Sequence, residues 1–221
     1  MNVTEAVLNR RSIRAFKDEA VDPAVLRRVF EAAQMSPSGC NFQPWEGVVL
    51  TGEPVRELSR RLKDAAPQDP QEYQLIPRDI PARYTQRLQE ITAARFDAIG
   101  LARDDAEGRG RVQARNFEFF GATALLLCFV PRIMGPPQWS DVGMWLQTVM
   151  LLLEDQGLGS CPQESLYVHG RLIKDFVGVS DETHLFFCGM AIGHPDMDDP
   201  MNRFERTRAP LDEVVRFVGD T

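Results

Sequence analysis

Apolar positions along this chain change period several times, and each change marks an element. Val3, Ala6 and Val7 recur at helical spacing behind Asn2 and Thr4, either of which can cap, so Asn2 to Arg10 reads as a short helix. Asp22-Pro23 opens a second helix with an acidic cap and a proline in the first turn; Val25, Leu26, Val29, Phe30 and Ala33 supply its apolar stripe, and Ser36-Pro37 stops it. Trp45 to Leu50 has the composition of a strand, closed by Thr51-Gly52-Glu53-Pro54, where another helix begins. Ala122 to Val130 is almost unbroken apolar sequence of strand length between Gly121 and Pro131, the pattern of a central strand. Asp141 starts a long helix whose Val142, Trp145, Leu146, Val149, Leu152 and Leu153 cover enough of its circumference to require burial on several sides, and Gly157-Leu158-Gly159 signals its C-cap. A short extended piece at Ser160 to Glu164, a helix near Val168 to Val177, a strand from Leu185 to Ile192 and a last extended segment from Glu213 to Val218 follow. The class is α+β around one central sheet.

From Asp64 to Arg115 the character differs. Pro67, Pro70, Pro77 and Pro81 break the chain, and charged residues then surround Tyr84, Leu88 and Ile91 at helical spacing, which predicts a mobile loop followed by an exposed helix. No linker composition separates this stretch from its surroundings. It reads as a lid-like excursion, residues 64 to 115, within one domain spanning residues 1 to 221.

Composition narrows the function classes. With 221 residues and 43% hydrophobic content the chain can bury a substantial core, and a net charge of −7 argues against a general affinity for nucleic acid. Cys40, Cys128, Cys161 and Cys188 form no C-x-x-C pair and no apolar signal stretch opens the chain, so a reduced cytoplasmic setting without disulfides is expected. The longest apolar runs fall short of a membrane span. His169, His184 and His194 lack metal-ligand spacing, and Gly108-Arg109-Gly110 imitates half of a dinucleotide fingerprint without its third glycine or preceding strand.

Two motifs carry chemistry. Arg10-Arg11-Ser12-Ile13-Arg14 gathers guanidinium forks that suit phosphate oxygens, although such a cluster can equally be a solvated face. Ser36-Pro37-Ser38-Gly39-Cys40-Asn41-Phe42-Gln43-Pro44-Trp45 is a helix stop that also offers hydroxyls and approachable backbone; on an extended segment Asn41 and Gln43 would point the same way. Trp45 reads as core. A third segment, Gly157 to Ser165, continues past its glycine cap into Cys161-Pro162-Gln163-Glu164, where Cys161 reads as a small packing residue rather than a nucleophile.

These segments, in this order, resemble the nitroreductase family, in the branch of nitrobenzoate reductases and iodotyrosine dehalogenases. Residues 8 to 52, 116 to 165 and 185 to 216 carry the likeness. The resemblance implies a central, mostly antiparallel sheet flanked by helices in an intertwined homodimer, with FMN at the subunit interface. It implies that Arg10, Arg11, Ser12 and Arg14 hold the phosphate and ring polar groups, joined by Arg206 and by Arg208, the first residue of the Arg-Ala-Pro-Leu-Asp segment. Pro37, Ser38, Gly39, Asn41 and Gln43 would contact the flavin from the interface loop, and Cys161, Pro162, Gln163 and Glu164 would line its N5 side, with a backbone N–H just after the proline as donor. The implied activity is a ping-pong hydride transfer through flavin N5 from NAD(P)H to a nitroaromatic, quinone or similar acceptor. A reductive dehalogenase, an enzyme that consumes reduced flavin, and a flavin-binding sensor or storage protein share the scaffold. Arg14 and Ser165 stand where better-known members often carry lysine and glycine, and the lid candidate around Arg78 to Ile99 would present Tyr84 and Phe96 to the flavin.

Overall fold

The unbroken apolar run is the axis of the fold in the computed structural model of the chain, which describes residues 1–219. Ala124–Pro131 is strand β2, hydrogen-bonded on one side to β1, Glu46–Thr51, and on the other to β4, His184–Gly193. Strand β3, Gly159–Gln163, completes the sheet in the order β1-β2-β4-β3, and every pairing is antiparallel. The expected antiparallel α+β architecture is therefore present.

Period-two alternation explains why β2 is apolar throughout. Ala124, Leu126, Cys128 and Val130 face a cluster with helix α2, Pro23–Ala33, and helix α6, Pro136–Asp155. Leu125, Leu127 and Phe129 face the other way, toward helix α3, Glu53–Asp64, and helix α7, Gly170–Val177. Truncating one of these fully buried leucines to alanine costs about 2–5 kcal/mol. Trp45 belongs to the first cluster and stacks on Trp145 with centroids 5.9 Å apart.

The caps hold as expected in two places. Helix α1, Val3–Asn9, begins with a reciprocal pair in which the Glu5 N–H donates to Asn2 Oδ1 and the Asn2 N–H to Glu5 Oε2, each at 2.9 Å. At the end of α6, Gly157 takes φ +71°, its N–H donates to Glu154 and that of Leu158 to Leu153, closing the helix with two left-handed-cap bonds.

Several expectations need correction. Helix α6 starts at Pro136, not Asp141, because the Pro136-Pro137 pair suits a first helical turn; Asp141 is a buried residue inside it. Of the apolar face read on α1 only Ala6 is buried, while Val3 and Val7 are open. The C-terminal segment forms a 3-10 turn at Leu211–Glu213 and no strand among the described residues. The excursion holds two helices, α4, Ala82–Ala98, and α5, Ala106–Ala114, and the glycines of the false fingerprint lie inside α5.

The root of that excursion is also fastened rather than free. Tyr73 Oη donates to the Phe187 carbonyl at 2.7 Å, Gln68 accepts from the Arg171 N–H at 2.7 Å, and Glu72 Oε2 accepts from the Phe186 N–H at 3.1 Å. The Lys174 ammonium, fully buried on α7, hydrogen-bonds both Glu72 and Asp181.

Candidate functional site at the open edge of the sheet

Because β3 ends the sheet order, its outer edge is available, and the N-terminal motif lies along it. Ser12 bridges Ser160 in parallel, and the Ile13 N–H donates to the Ser160 carbonyl at 2.9 Å. Gly159 permits this approach: a Cβ there would stand 2.7 Å from Ile13 Cγ1. The motif's far end is clamped by Asn202, 1% exposed, whose Oδ1 accepts from the Arg14 N–H at 2.7 Å and whose Nδ2 donates to the carbonyls of Ala15 and Asp196. Asn202 was not singled out by the sequence. A lone asparagine beside an arginine-rich tail gives no sign that it will be buried.

The same clamp brings the C-terminal arginines back to the motif. Arg206 donates to the carbonyls of Leu8 and Arg10, and Arg11 Nη2 donates to the Phe204 carbonyl at 2.7 Å. Burial lowers the pKa of Arg10, and repulsion from Arg206 and Arg208 lowers it further; Arg11 is lowered by burial and by Arg206. Glu154 on α6 is the carboxylate that faces this group, its own pKa raised by burial against the pull of Arg10, Arg206 and Arg11. Three guanidiniums thus converge on one acid. Arg208 itself is exposed, donates to the Thr207 carbonyl, and lines a separate cavity of about 670 Å³ with Arg83 and Arg87 of α4.

At the other end of β3 a cavity of about 360 Å³ is bordered by Arg14, Cys161, Pro162, Gln163 and Glu164. Gln163 is 2% exposed; its Nε2 donates to the Asn116 carbonyl at 2.8 Å while its Oε1 has no hydrogen-bond partner. Cys161 is buried, and burial raises its thiol pKa against the pull of Arg14 and Arg95, which agrees with a packing role and not a nucleophilic one. Neither Tyr84 nor Phe96 lines this cavity. Tyr84 is exposed, with the guanidiniums of Arg83 and Arg87 over its ring, and the excursion sends in Arg95 instead.

The loop at Pro37 to Gln43 is not brought to either place within this chain. It sits at α6, where the Gly39 N–H donates to Asp141 Oδ2 at 3.2 Å. Nor is it extended: Cys40, Asn41 and Gln43 have φ of 51°, 57° and 49°, so the two amides do not share a strand face. The Ser38 hydroxyl accepts from the Gln43 N–H at 3.0 Å and Gln43 Nε2 donates to the Asn41 carbonyl at 3.1 Å, which holds the tight turn and leaves Asn41 and Gln43 exposed.

Comparison with known proteins extends the likeness over the chain. The model of the nitroreductase family matches residues 7–194. A 4-nitrobenzoate reductase of Pseudomonas putida is 33% identical over 215 residues, 96% of this chain and 94% of that protein. Among solved structures, the FMN and NADPH-dependent nitroreductase NfnB from Sphigopyxis sp. strain HMH is 41% identical with a TM-score of 0.95, each chain covered completely. The FMN-dependent NfnB from Mycobacterium smegmatis, solved in complex with NADPH, is 25% identical with a TM-score of 0.92, covering 98% of this chain and 97% of that one.

Proposed function

The chain belongs to the nitroreductase family, and from that premise we propose that it is an FMN-dependent oxidoreductase, one domain per subunit, that uses NAD(P)H to reduce nitroaromatic, quinone or similar acceptors. The observation that carries the reading is the convergence of Arg10, Arg11 and Arg206 on the single acid Glu154 beside β3, with Arg208 close enough to act on Arg10. Burial and neighbouring positive charge lower the pKa values of Arg10 and Arg11, a cost that a multiply charged anion relieves, and a phosphate accepts several guanidinium donors at once. The orphaned Gln163 Oε1 needs a donor, which the polar edge of a flavin has. The residues present therefore fit FMN.

In this reading Arg10, Arg11, Arg206 and Arg208 hold the phosphate, while Ser12, Arg14 and Gln163 engage ring polar groups. Cys161 and Pro162 support the ring beside a backbone donor at Gln163 or Glu164. The chemistry that FMN would supply when held by these residues is hydride transfer between a nicotinamide donor and the acceptor. The chain's own task is positioning: Asn202 fixes the backbone at Arg14, and Arg206 fixes it at Leu8 and Arg10. Solvent supplies protons.

The assembly is read as a homodimer. Val3, Val7 and Leu8 of α1 and Leu211, Val214 and Phe217 of the tail are apolar and exposed, and the loop at Pro37 to Gln43 lies away from the arginines that it would have to join. A partner's loop supplies Ser38, Gly39, Asn41 and Gln43 to the site in this arrangement.

A visible spectrum of the purified protein, followed anaerobically after NADH or NADPH, tests the proposal. A yellow protein bleached by one donor supports it and identifies that donor. A yellow protein that stays oxidised favours a sensor, storage or reduced-flavin-consuming role, and a colourless protein that cannot be reconstituted with FMN overturns it.

A further inference from the structure

The excursion helix α4 brings a second cation to the cavity at the end of β3. Arg95 and Arg14 both line it, each half-buried, and Arg95 Nε is buried without a hydrogen-bond partner. Arg14 donates from Nη1 to the Ser12 carbonyl at 3.2 Å. Among the described residues neither guanidinium has a carboxylate within ion-pair distance. Of the other charged residues on the wall, Arg115 lies 3.9 Å from Asp199 and has its counter-charge there, while Glu164 is exposed and pairs with neither Arg14 nor Arg95. Burial lowers the Arg95 pKa and the neighbouring charge of Arg14 lowers it further. The excursion thus sets an unanswered charge beside Arg14, where the two repel.

In the proposed site the FMN phosphate belongs to the arginines at the other end of β3, where Arg11 and Arg206 border Gly159 with Glu154. The ring is therefore the part that meets Arg14 and Arg95. A neutral oxidised ring does little for two cations that repel each other. Reduction by hydride adds two electrons and one proton, so the ring gains one negative charge unless a second proton follows from solvent. That charge spreads over ring nitrogen and carbonyl oxygen, acceptors that paired guanidinium N–H donors match, and a half-buried setting strengthens the attraction relative to water. Gln163 acts in the same direction. With Nε2 committed to the Asn116 carbonyl, its unpartnered Oε1 can only accept, and reduction adds an N–H to the ring without removing one.

We propose that Arg95, with Arg14, holds the negative charge that the FMN ring takes on reduction, and so raises the reduction potential of the bound cofactor. The inference rests on the FMN reading of the site and gives the excursion a role in it. Arg95 is the residue through which that segment sets how readily the flavin is reduced.

The test titrates FMN-loaded wild type, Arg95→Met and Arg95→Lys anaerobically with dithionite beside a reference dye of known potential. Arg95→Met keeps the bulk and removes the charge, and should weaken reduced FMN relative to oxidised FMN by roughly 10–100-fold, the scale of one charge-assisted hydrogen bond. For a two-electron couple that lowers the potential by about 30–60 mV. Arg95→Lys should recover part of the difference. Sulfite gives a second readout, because it adds to the oxidised ring and leaves it negatively charged with no electron donor present; its Kd should rise by roughly 10–100-fold in Arg95→Met. A potential within about 10 mV of wild type, a twofold change in that ratio, would overturn the proposal. So would an equal loss of affinity for oxidised and reduced FMN, which would make Arg95 an ordinary contact of the cofactor. Neither readout uses a nicotinamide: if none reduces the protein, the reductase reading fails while the potential still decides the role of Arg95, and a protein that takes up no FMN overturns both.

Discussion

Replacing Glu72 with alanine should destabilise the protein far more than its place in a proline-rich, charged stretch suggests. Its carboxylate is 5% exposed and hydrogen-bonds the fully buried Lys174; Arg132 Nη2 approaches it at 2.5 Å and the Phe186 N–H at 3.1 Å. Removing one partner of a buried ion pair costs about 3–5 kcal/mol because the other charge is left behind. Lys174 keeps Asp181 and a 3.2 Å bond to the His184 carbonyl, which places the loss at the low end. A cost of about 3 kcal/mol corresponds to a fall in Tm of about 6–12 °C for a chain of this size. Glu72→Gln retains an acceptor for the Phe186 N–H and should recover about 1 kcal/mol. The double variant Glu72→Leu/Lys174→Met should be less destabilised than Glu72→Ala, since no charge remains buried without its partner. Urea unfolding monitored by tryptophan fluorescence, with a matching thermal melt, measures all three. A Glu72→Ala protein melting within about a degree of wild type would refute the argument, because no buried pair of this kind loses a member without a shift of several degrees.

Other consequences can be measured separately. Arg208→Ala should weaken FMN binding by on the order of 1.5–3 kcal/mol, and because among the described residues its side chain hydrogen-bonds just the carbonyl of its neighbour Thr207, the melting temperature without FMN should stay put; unchanged FMN affinity would remove it from the site. Gly159→Ala puts a Cβ 2.7 Å from Ile13 Cγ1, so the N-terminal motif must move off β3 at an overpacking cost of about 1–3 kcal/mol. Thermal melts with and without FMN should show both a lower Tm and a smaller ligand-induced rise, and equal rises would mean that the motif does not need β3. His169 has its pKa lowered below 6.5, by burial, against a hydrogen bond with the Ala66 backbone. The unfolded chain then binds more protons, so the contribution is complete above about pH 6.5 and is lost as pH falls through the lower folded value. His169→Gln should flatten that part of the stability profile in urea titrations at stepped pH, and an unaltered slope would count against it.

What could be read in advance depended on how local the signal was. The two-faced burial of β2 was legible because Ala122 to Val130 has no polar interruption, and the end of α6 was legible because Gly157 is required at a left-handed position. The start of α6 was missed because Pro136-Pro137 both breaks a preceding segment and begins a helix, and the residues alone do not say which. Asn41 and Gln43 were misread for a related reason: extended geometry was taken for the loop, but left-handed residues at Cys40, Asn41 and Gln43 curl it back on Ser38. Glu72 and Lys174 were invisible as a pair because 102 residues separate them. The arginine motif was open to a solvated reading, and what decides against that reading is the return of residues 202 to 208, again a contact between distant segments.

Arg95 shows the same limit from the functional side, and shows why the excursion matters. Tyr84 and Phe96 were the natural candidates to face the cavity because aromatic residues stand out among charged ones, and one more arginine in such a sequence does not. The geometry reverses that ranking: Tyr84 carries Arg83 and Arg87 on the surface, while Arg95, its Nε buried, lines the cavity with Arg14. Its orientation depends on where α4 is hung, and the start of that path is fixed by Gln68, Glu72 and Tyr73 on α7 and β4. The sheet edge holds the motif through Ser12 and Ile13, whereas Arg95 reaches the cavity from the excursion, so the cations at the end of β3 hang from two separate supports.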